Sequence, residues 1–364
     1  MPKKQPYLFF NMKQELQKIA ILGSVILLSI FIELTRKQNV LIALQWFLQA
    51  GLIWGFICQF TWWQLSLNRA NEHAPLYHAL GLGNRLTILR GGLIAVTGGF
   101  LFLPHEVWFA ALPYSLSVIL DRVDGFVARR YKQTSLLGTQ LDITFDALGL
   151  MIAPLMAISS GQIHWSYFLL SIAYYIYQAG LQYRKKQALP IYSSPENSLR
   201  RTLAGFQMGL ITLVLWSIFT STFTIIASIA FMLPVLFGFG IDWFINTGKV
   251  NAQIIMTLAH ISDQIFQPIL RVLVVLSLFL FLKTNSTPHF IWLGLMLSMM
   301  TIFFGVAGRV GALFILITLG LIDMQINALT STIIISASWI LMLGTGHLSL
   351  WKFGDEWVKR YDGA

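Results

Sequence analysis

Of the 364 residues, 56% are hydrophobic and only 11% charged, and the mean hydropathy is +0.69. A soluble chain of this length carries roughly a quarter charged residues, so a soluble or disordered chain is excluded, and the net charge of +10 reads as the basic side of a membrane protein rather than as nucleic-acid binding. The single cysteine, Cys58, lies in an apolar run and excludes an intramolecular disulfide or a cysteine-based metal site.

The basic opening "MPKKQPYLFFNMKQELQK" precedes an apolar stretch without a small-residue cleavage site, so it reads as a retained first span with a short charge-free core at 19–32. Uncharged runs at 38–68, 147–183, 202–241 and 324–351 are too long for core helices. A crossing needs roughly 20 apolar residues, so the longer runs hold two each. Spans are predicted near 17–35, 40–63, 84–103, 107–129, 138–160, 163–183, 202–220, 223–246, 264–282, 290–306, 310–322 (extending into 323–326) and 329–347. The predicted fold is an all-α, polytopic integral membrane protein.

Composition divides the chain into three parts. Residues 1–70 form a two-span extension ending in "NRANEHAP", residues 71–248 hold six spans, and "NTGKVNAQ" joins them to a four-span block at 249–364. With the N-terminus in the cytoplasm, all of the 25 Lys and Arg residues fall on the cytoplasmic side except Arg36, Lys37, Lys283 and the in-span Arg271. That bias predicts the orientation.

The stretch "DRVDGFVARRYKQTSLLGTQLDITFD" gathers four aspartates in a chain that avoids charge. Asp121, Asp124 and Ala128 share one face at the end of a span, and Gly138, Asp142 and Asp146 share one face at the start of the next. If "YKQTSLL" turns the chain between them, the four carboxylates converge. Their mutual repulsion calls for cations, and an all-carboxylate set suits hard divalent ions, Mg²⁺ or Mn²⁺, in phosphate chemistry. Gly125 and Ala128 leave room for a ligand or a facing helix, and Arg129 offers a planar guanidinium to a phosphate. Plain salt bridges to Arg122, Arg129 and Arg130 are the bland alternative. Four acids on two matched faces, costly within a membrane, argue against it.

Asp121-x2-Asp124-Gly125-x2-Ala128-Arg129-x8-Gly138-x3-Asp142-x3-Asp146 resembles the signature of the CDP-alcohol phosphatidyltransferases, with eight specified residues in place, and "NRLTILR" at 84–90 resembles the element that opens that family's first span. The resemblance covers about 84–248. It implies a six-span bundle that moves a phosphatidyl or other substituted phosphate group from a CDP-alcohol, such as CDP-diacylglycerol, to a hydroxyl and releases CMP in phospholipid biosynthesis. It further implies that Asp121, Asp124, Asp142 and Asp146 ligate two such ions, Asp146 the second of them, and that Asp146 is the base. Asn84, Thr87, Gly125, Ala128, Arg129 and Gly138 would then line the substrate site. The active site would face the cytoplasm from an inner membrane, where CTP-derived donors are made.

Arg200 and Arg201, at the start of the seventh span, suit an acceptor phosphate or plain membrane anchoring. Asp242 suits cavity lining or local hydrogen bonding near the interface. The seven histidines have no ligand spacing, and the aromatics, 14% of the chain, read as headgroup-level belts. "GRVGALFILITLGL" and "GHLSLWKFGDEW" resemble small four-span proteins of the DoxX type. Gly305, Gly308, Arg309 and Gly311 suit a tight helix contact around one charge, and the last block could bind lipid, hold a partner or form a homodimer. A cation-coupled transporter using the aspartates as its ion site is the competing function. Transport favours acids near the bilayer midplane and paired broken helices; here the acids sit at a span boundary and no internal repeat is evident. An inactive scaffold fits poorly with a complete aspartate set. The acceptor alcohol is not legible.

Overall fold

The computed structural model describes residues 5–103, 107–131, 133–195, 198–285, 287–322 and 325–351. Lys3, Lys4, Lys132, Lys352, Lys359 and Arg360, used in the orientation argument, lie outside those residues, as does most of "WKFGDEW". Among the described residues the fold is all helix, with a single isolated bridge between Val306 and Trp351. Each predicted span coincides with a helix. Among the described residues, five segments are long and apolar enough to cross a membrane: Phe10–Lys37, Val40–Leu67, Leu136–Ser159, Ser221–Asn246 and Ile254–Thr284. The chain is a multi-pass membrane protein.

Residues 1–160 form one compact unit. Its helices are α1 (Gln5–Lys37), α2 (Val40–Gln64), α3 (Leu82–Gly99), α4 (Val107–Arg130) and α5 (Leu136–Ser159). Helix α1 is far longer than its charge-free core, because the amphipathic "NMKQELQK" continues the helix toward the N-terminus. Asn39 starts α2 by accepting a hydrogen bond from the Leu41 N–H at 2.9 Å.

Helix α3 is the hub of this unit and packs against α2, α4 and α5. Its glycines make that possible. A Cβ on Gly83 would stand 2.8 Å from the Ala128 Cβ of α4, and one on Gly99 would press into the Trp46 indole of α2 at 2.5 Å. With no solvophobic drive between helices in lipid, such small-residue contacts supply the close packing. The same glycines and polar residues lower the hydropathy of α3, while α4 loses apolarity to the charges that crowd its end.

Residues 161–364 form the second unit. A short 3₁₀ turn, Trp165–Tyr167, leads into α6 (Phe168–Lys186), followed by α7 (Ser198–Leu215) and α8 (Ser221–Asn246). Gln207 of α7 ties them together: its Oε1 accepts from the Tyr167 hydroxyl, and its Nε2 donates to the Phe231 carbonyl at 2.5 Å. Next come α9 (Ile254–Ile261), a π turn (Ser262–Phe266), α10 (Gln267–Thr284), α11 (His289–Phe304), α12 (Gly308–Leu321) and α13 (Ala328–Leu343). Helix α13 packs on both α10 and α8, with the Trp339 indole donating to the Ala230 carbonyl at 2.7 Å. Helix α12 ends at Leu321 because Ile322 is extended. Of the predicted extension, 323–324 lie outside the described residues, and Gln325 and Ile326 are not helical.

The glycine cluster behaves as its spacing suggests. Gly305 caps α11 at φ 64°, and a Cβ on Gly311 would meet Thr301 and the Ser298 carbonyl, so α11 and α12 touch closely. Arg309 is buried and donates to the Met342 carbonyl, while Arg271 donates to the carbonyls of Ile302, Phe303 and Thr345. Arg90 and Arg309 are therefore interior groups rather than loop anchors, which removes two residues from the cytoplasmic-side argument without reversing its bias.

Candidate active site

The chain between α4 and α5 turns where "YKQTSLL" suggests. Helix α4 ends at Arg130, and Ser135 caps α5 by accepting from the Gly138 N–H at 2.9 Å. The two helices bring the four aspartates together, as the spacing implies. The surprise lies at their centre. Arg90 of α3, 1% exposed, pairs with Asp121, with Asp142 at 3.0 Å, with Asp146 at 3.1 Å and with Asp124 at 3.8 Å. It also donates to the Asp142 carbonyl at 3.3 Å, and its Nε–H is buried without a partner.

The four acids are not equivalent. Asp124 is 5% exposed and accepts from the Thr87 hydroxyl at 2.8 Å. Asp121, Asp142 and Asp146 are only part-buried, and one carboxylate oxygen from each lies within 4.8 Å of the others. An octahedral ion with metal–oxygen bonds near 2.1 Å holds adjacent oxygens about 3.0 Å apart and opposite ones about 4.2 Å apart. For the three to share an ion, one pair would close by up to about 0.6 Å and the adjacent pairs by up to about 1.8 Å, a movement within reach of side-chain rotation. Four carboxylates against one guanidinium leave a formal charge of −3, and the donors are all hard oxygens. The residues present fit a divalent cation of the Mg²⁺ or Mn²⁺ kind.

Other residues singled out in the sequence fall into two groups. Gly125 and the exposed Arg129 sit together at the open side; a Cβ on Gly125 would lie 3.4 Å from the Arg129 guanidinium. Asn84, Thr87, Ala128 and Gly138 are instead taken up by helix contacts. Asn84 is buried, donates to Asn68 and to the Leu80 carbonyl and accepts from the Ser135 hydroxyl at 3.3 Å, and its side-chain oxygen would stand 2.7 Å from a Cβ on Gly138. Ala128 packs on Gly83. Thr87 is bonded to Asp124 of the acidic cluster, and Ala128 and Gly138 are half-buried.

In the second unit, Arg200 of α7 pairs with the buried Asp242 of α8 and donates to the Ser194 hydroxyl at 2.8 Å, while Arg201 is exposed. Asp242 thus bonds across helices, beyond the local hydrogen bonding anticipated for it. Arg90 is the functional residue that the sequence reading passed over. Its signal was present: a second arginine, one turn beyond Thr87 and deeper in the span than Arg85, is costly unless acids face it.

Helical spans that bury an arginine among four carboxylates mark a multi-pass membrane protein with an acidic cluster whose oxygens suit a divalent cation. Residues 80–240, somewhat less than half of the chain, match the family model of the CDP-alcohol phosphatidyltransferases. That family transfers a substituted phosphate group from a CDP-alcohol. The match ends within α8, and nothing in the comparisons supports the DoxX-type resemblance of the last four spans. No curated protein and no solved structure matches the chain.

Proposed function

We propose that the chain transfers a phosphatidyl group from CDP-diacylglycerol or a closely similar CDP-linked lipid to an acceptor hydroxyl, releasing CMP, at the cytoplasmic face of an inner membrane. The observation that carries this reading is the convergence of Asp121, Asp142 and Asp146 on one open face around Arg90. A diphosphate brought to that face needs cations beyond Arg90, and the basic-residue bias supports the cytoplasmic orientation.

Asp121, Asp142 and Asp146 would hold the divalent cations, with Asp124 behind them fixed by Thr87. When bound, such ions polarise the phosphoryl oxygens and stabilise the departing CMP. Asp146, at the open side, would accept the acceptor's hydroxyl proton as the new O–P bond forms and the bond to CMP breaks. Arg90 would keep the carboxylates from splaying apart. Gly125 and Arg129 would meet the nucleotide side of the donor, and Asn84, Thr87, Ala128 and Gly138 would act by fixing helix positions. Arg200 and Arg201 would receive a phosphate on the acceptor, with Arg200 exchanging Asp242 for it.

The test is purified protein supplied with Mg²⁺ or Mn²⁺, CDP-diacylglycerol and a panel of acceptors (glycerol 3-phosphate, inositol phosphate, serine, simple alcohols), scored for CMP. Acceptor-dependent CMP release supports the reading. Cation transport without CMP release would support the transporter instead.

A further inference from the structure

The matched family segment begins at residue 80, yet the helices that carry the site are pinned by residues before it. Asn68, wholly buried in the loop after α2, donates to the Ala79 carbonyl at 2.8 Å and to the Met12 sulfur of α1 at 3.1 Å. Its side-chain oxygen accepts from Asn84 of α3 at 3.0 Å, and its backbone carbonyl accepts from the Tyr77 N–H at 2.9 Å. Asn84 reaches on to Ser135 at 3.2 Å, the residue that caps α5. The neighbouring Arg69 carbonyl accepts from the Leu136 N–H at 2.9 Å, and the Tyr77 hydroxyl donates to the Thr134 carbonyl at 3.1 Å. From α1, Glu15 accepts from the Leu80 N–H at 3.0 Å and from Arg85 at 2.5 Å.

We infer that Asn68 is a positioning residue for the transfer reaction: through Asn84 it locks the start of α3 to the start of α5 and so sets where Arg90 meets Asp142 and Asp146. The inference rests on the proposed transferase reading for its catalytic readout. Arg90 lies six residues beyond Asn84 and Asp142 seven beyond Ser135, so both site groups stand about 9–10 Å from their pins at 1.5 Å per residue. A tilt of about 10° at the pin moves each by roughly 1.6 Å on that lever. Misplacement by about 1 Å can cost on the order of a hundredfold in rate. The amide of Asn68 spends both N–H groups and its oxygen on three different segments, and an apolar residue of similar size keeps none of those bonds.

The experiment uses the full chain. CMP release is measured for Asn68→Leu and Asn68→Asp, the latter keeping the oxygen that receives Asn84 while losing the donor to Ala79. In a Cys58→Ser background, nitroxides at Leu82→Cys and Gln140→Cys, both exposed, report the spread of distances between the starts of α3 and α5. Asn68→Leu should lower kcat at least tenfold with less than a twofold change in the donor's KM, and should broaden the distance distribution. Asn68→Asp should keep at least a third of kcat with a narrow distribution. If Asn68→Leu does not yield monodisperse protein, Asn68→Ser carries the same comparison at smaller amplitude. Wild-type kcat in Asn68→Leu, or a lost kcat with an unbroadened distribution, overturns the inference. A wild type that releases no CMP, while Asn68→Leu still broadens the distances, refutes the transferase reading and leaves the clamp standing.

Discussion

Arg90 of α3 and Asp146 of α5 stand 3.1 Å apart, with the arginine side chain 2% exposed and the aspartate 34% exposed. One partner is sealed inside the bundle while the other faces outward, so the cation anchors the site from within and the acids present their remaining oxygens to whatever binds. Asp121 and Asp142 share this arrangement.

The first prediction follows from that asymmetry. Removing the charge in Arg90→Gln takes away the buried guanidinium that the four carboxylates share, and breaking a buried pair costs about 3–5 kcal/mol. A divalent cation would then offset part of the loss. Ligand at a hundred times its Kd stabilises by about 2.7 kcal/mol. Thermal unfolding in detergent should show a lower Tm for Arg90→Gln without metal and a larger Mg²⁺-induced rise than in the wild type. Equal Mg²⁺ responses in the two proteins would mean that Arg90 and the cation do not share the carboxylates.

The second separates roles among the acids. A general base contributes about 10²–10⁴-fold, so Asp146→Asn should lose CMP formation by that order while retaining some Mn²⁺ binding. Asp121→Asn should weaken Mn²⁺ binding as well. Asp124→Asn should perturb Mn²⁺ least, because Asp124 is buried against Thr87 and stands apart from the three clustered oxygens. Mn²⁺ titration by electron paramagnetic resonance, set beside CMP assays, checks the order. Near-normal turnover in Asp146→Asn would remove the base assignment.

The aspartate faces, the turn between them and every predicted span were legible because each depends on near neighbours in sequence: apolar run length, i to i+4 spacing and the Ser135 cap. Arg90 was not assigned because its meaning depends on partners 31 to 56 residues away in sequence. Asn84, Thr87, Ala128 and Gly138 were legible as special positions, whereas the helix contacts they make were not, because a glycine or alanine beside an acid reads the same whether a ligand or a helix stands against it. The long-range bonds of Asn68 left no periodic trace at all.

The third prediction concerns the boundary proposed at residue 248. A chain ending at Gly248 keeps every aspartate of the signature as well as Arg90, Asn68 and Arg200, so Mn²⁺ binding and CMP formation should persist. It loses the packing of α13 on α8 and the Trp339 bond to Ala230, so its unfolding temperature should fall. Intact Mn²⁺ binding without CMP formation in a monodisperse truncation would show that the last block helps build the catalytic site.

The last prediction concerns the acceptor. A phosphate carried toward carboxylates is repelled unless cations meet it, and the start of α7 offers Arg200 and Arg201, which point about 100° apart on the helix. Arg201 is exposed, whereas Arg200 already pairs with Asp242, so the two should respond differently. A lost charge-assisted hydrogen bond costs roughly 1.5–3 kcal/mol, on the order of ten- to a hundredfold in affinity. Arg201→Ala should therefore raise the acceptor KM by about that factor with donor KM unchanged. Arg200→Ala also strands the buried Asp242, so its effect on KM should come with a loss of stability, and adding Asp242→Asn should restore stability without restoring acceptor affinity. If both single variants keep wild-type acceptor dependence, or the best acceptor carries no phosphate, these arginines serve the membrane interface and the α7–α8 contact alone.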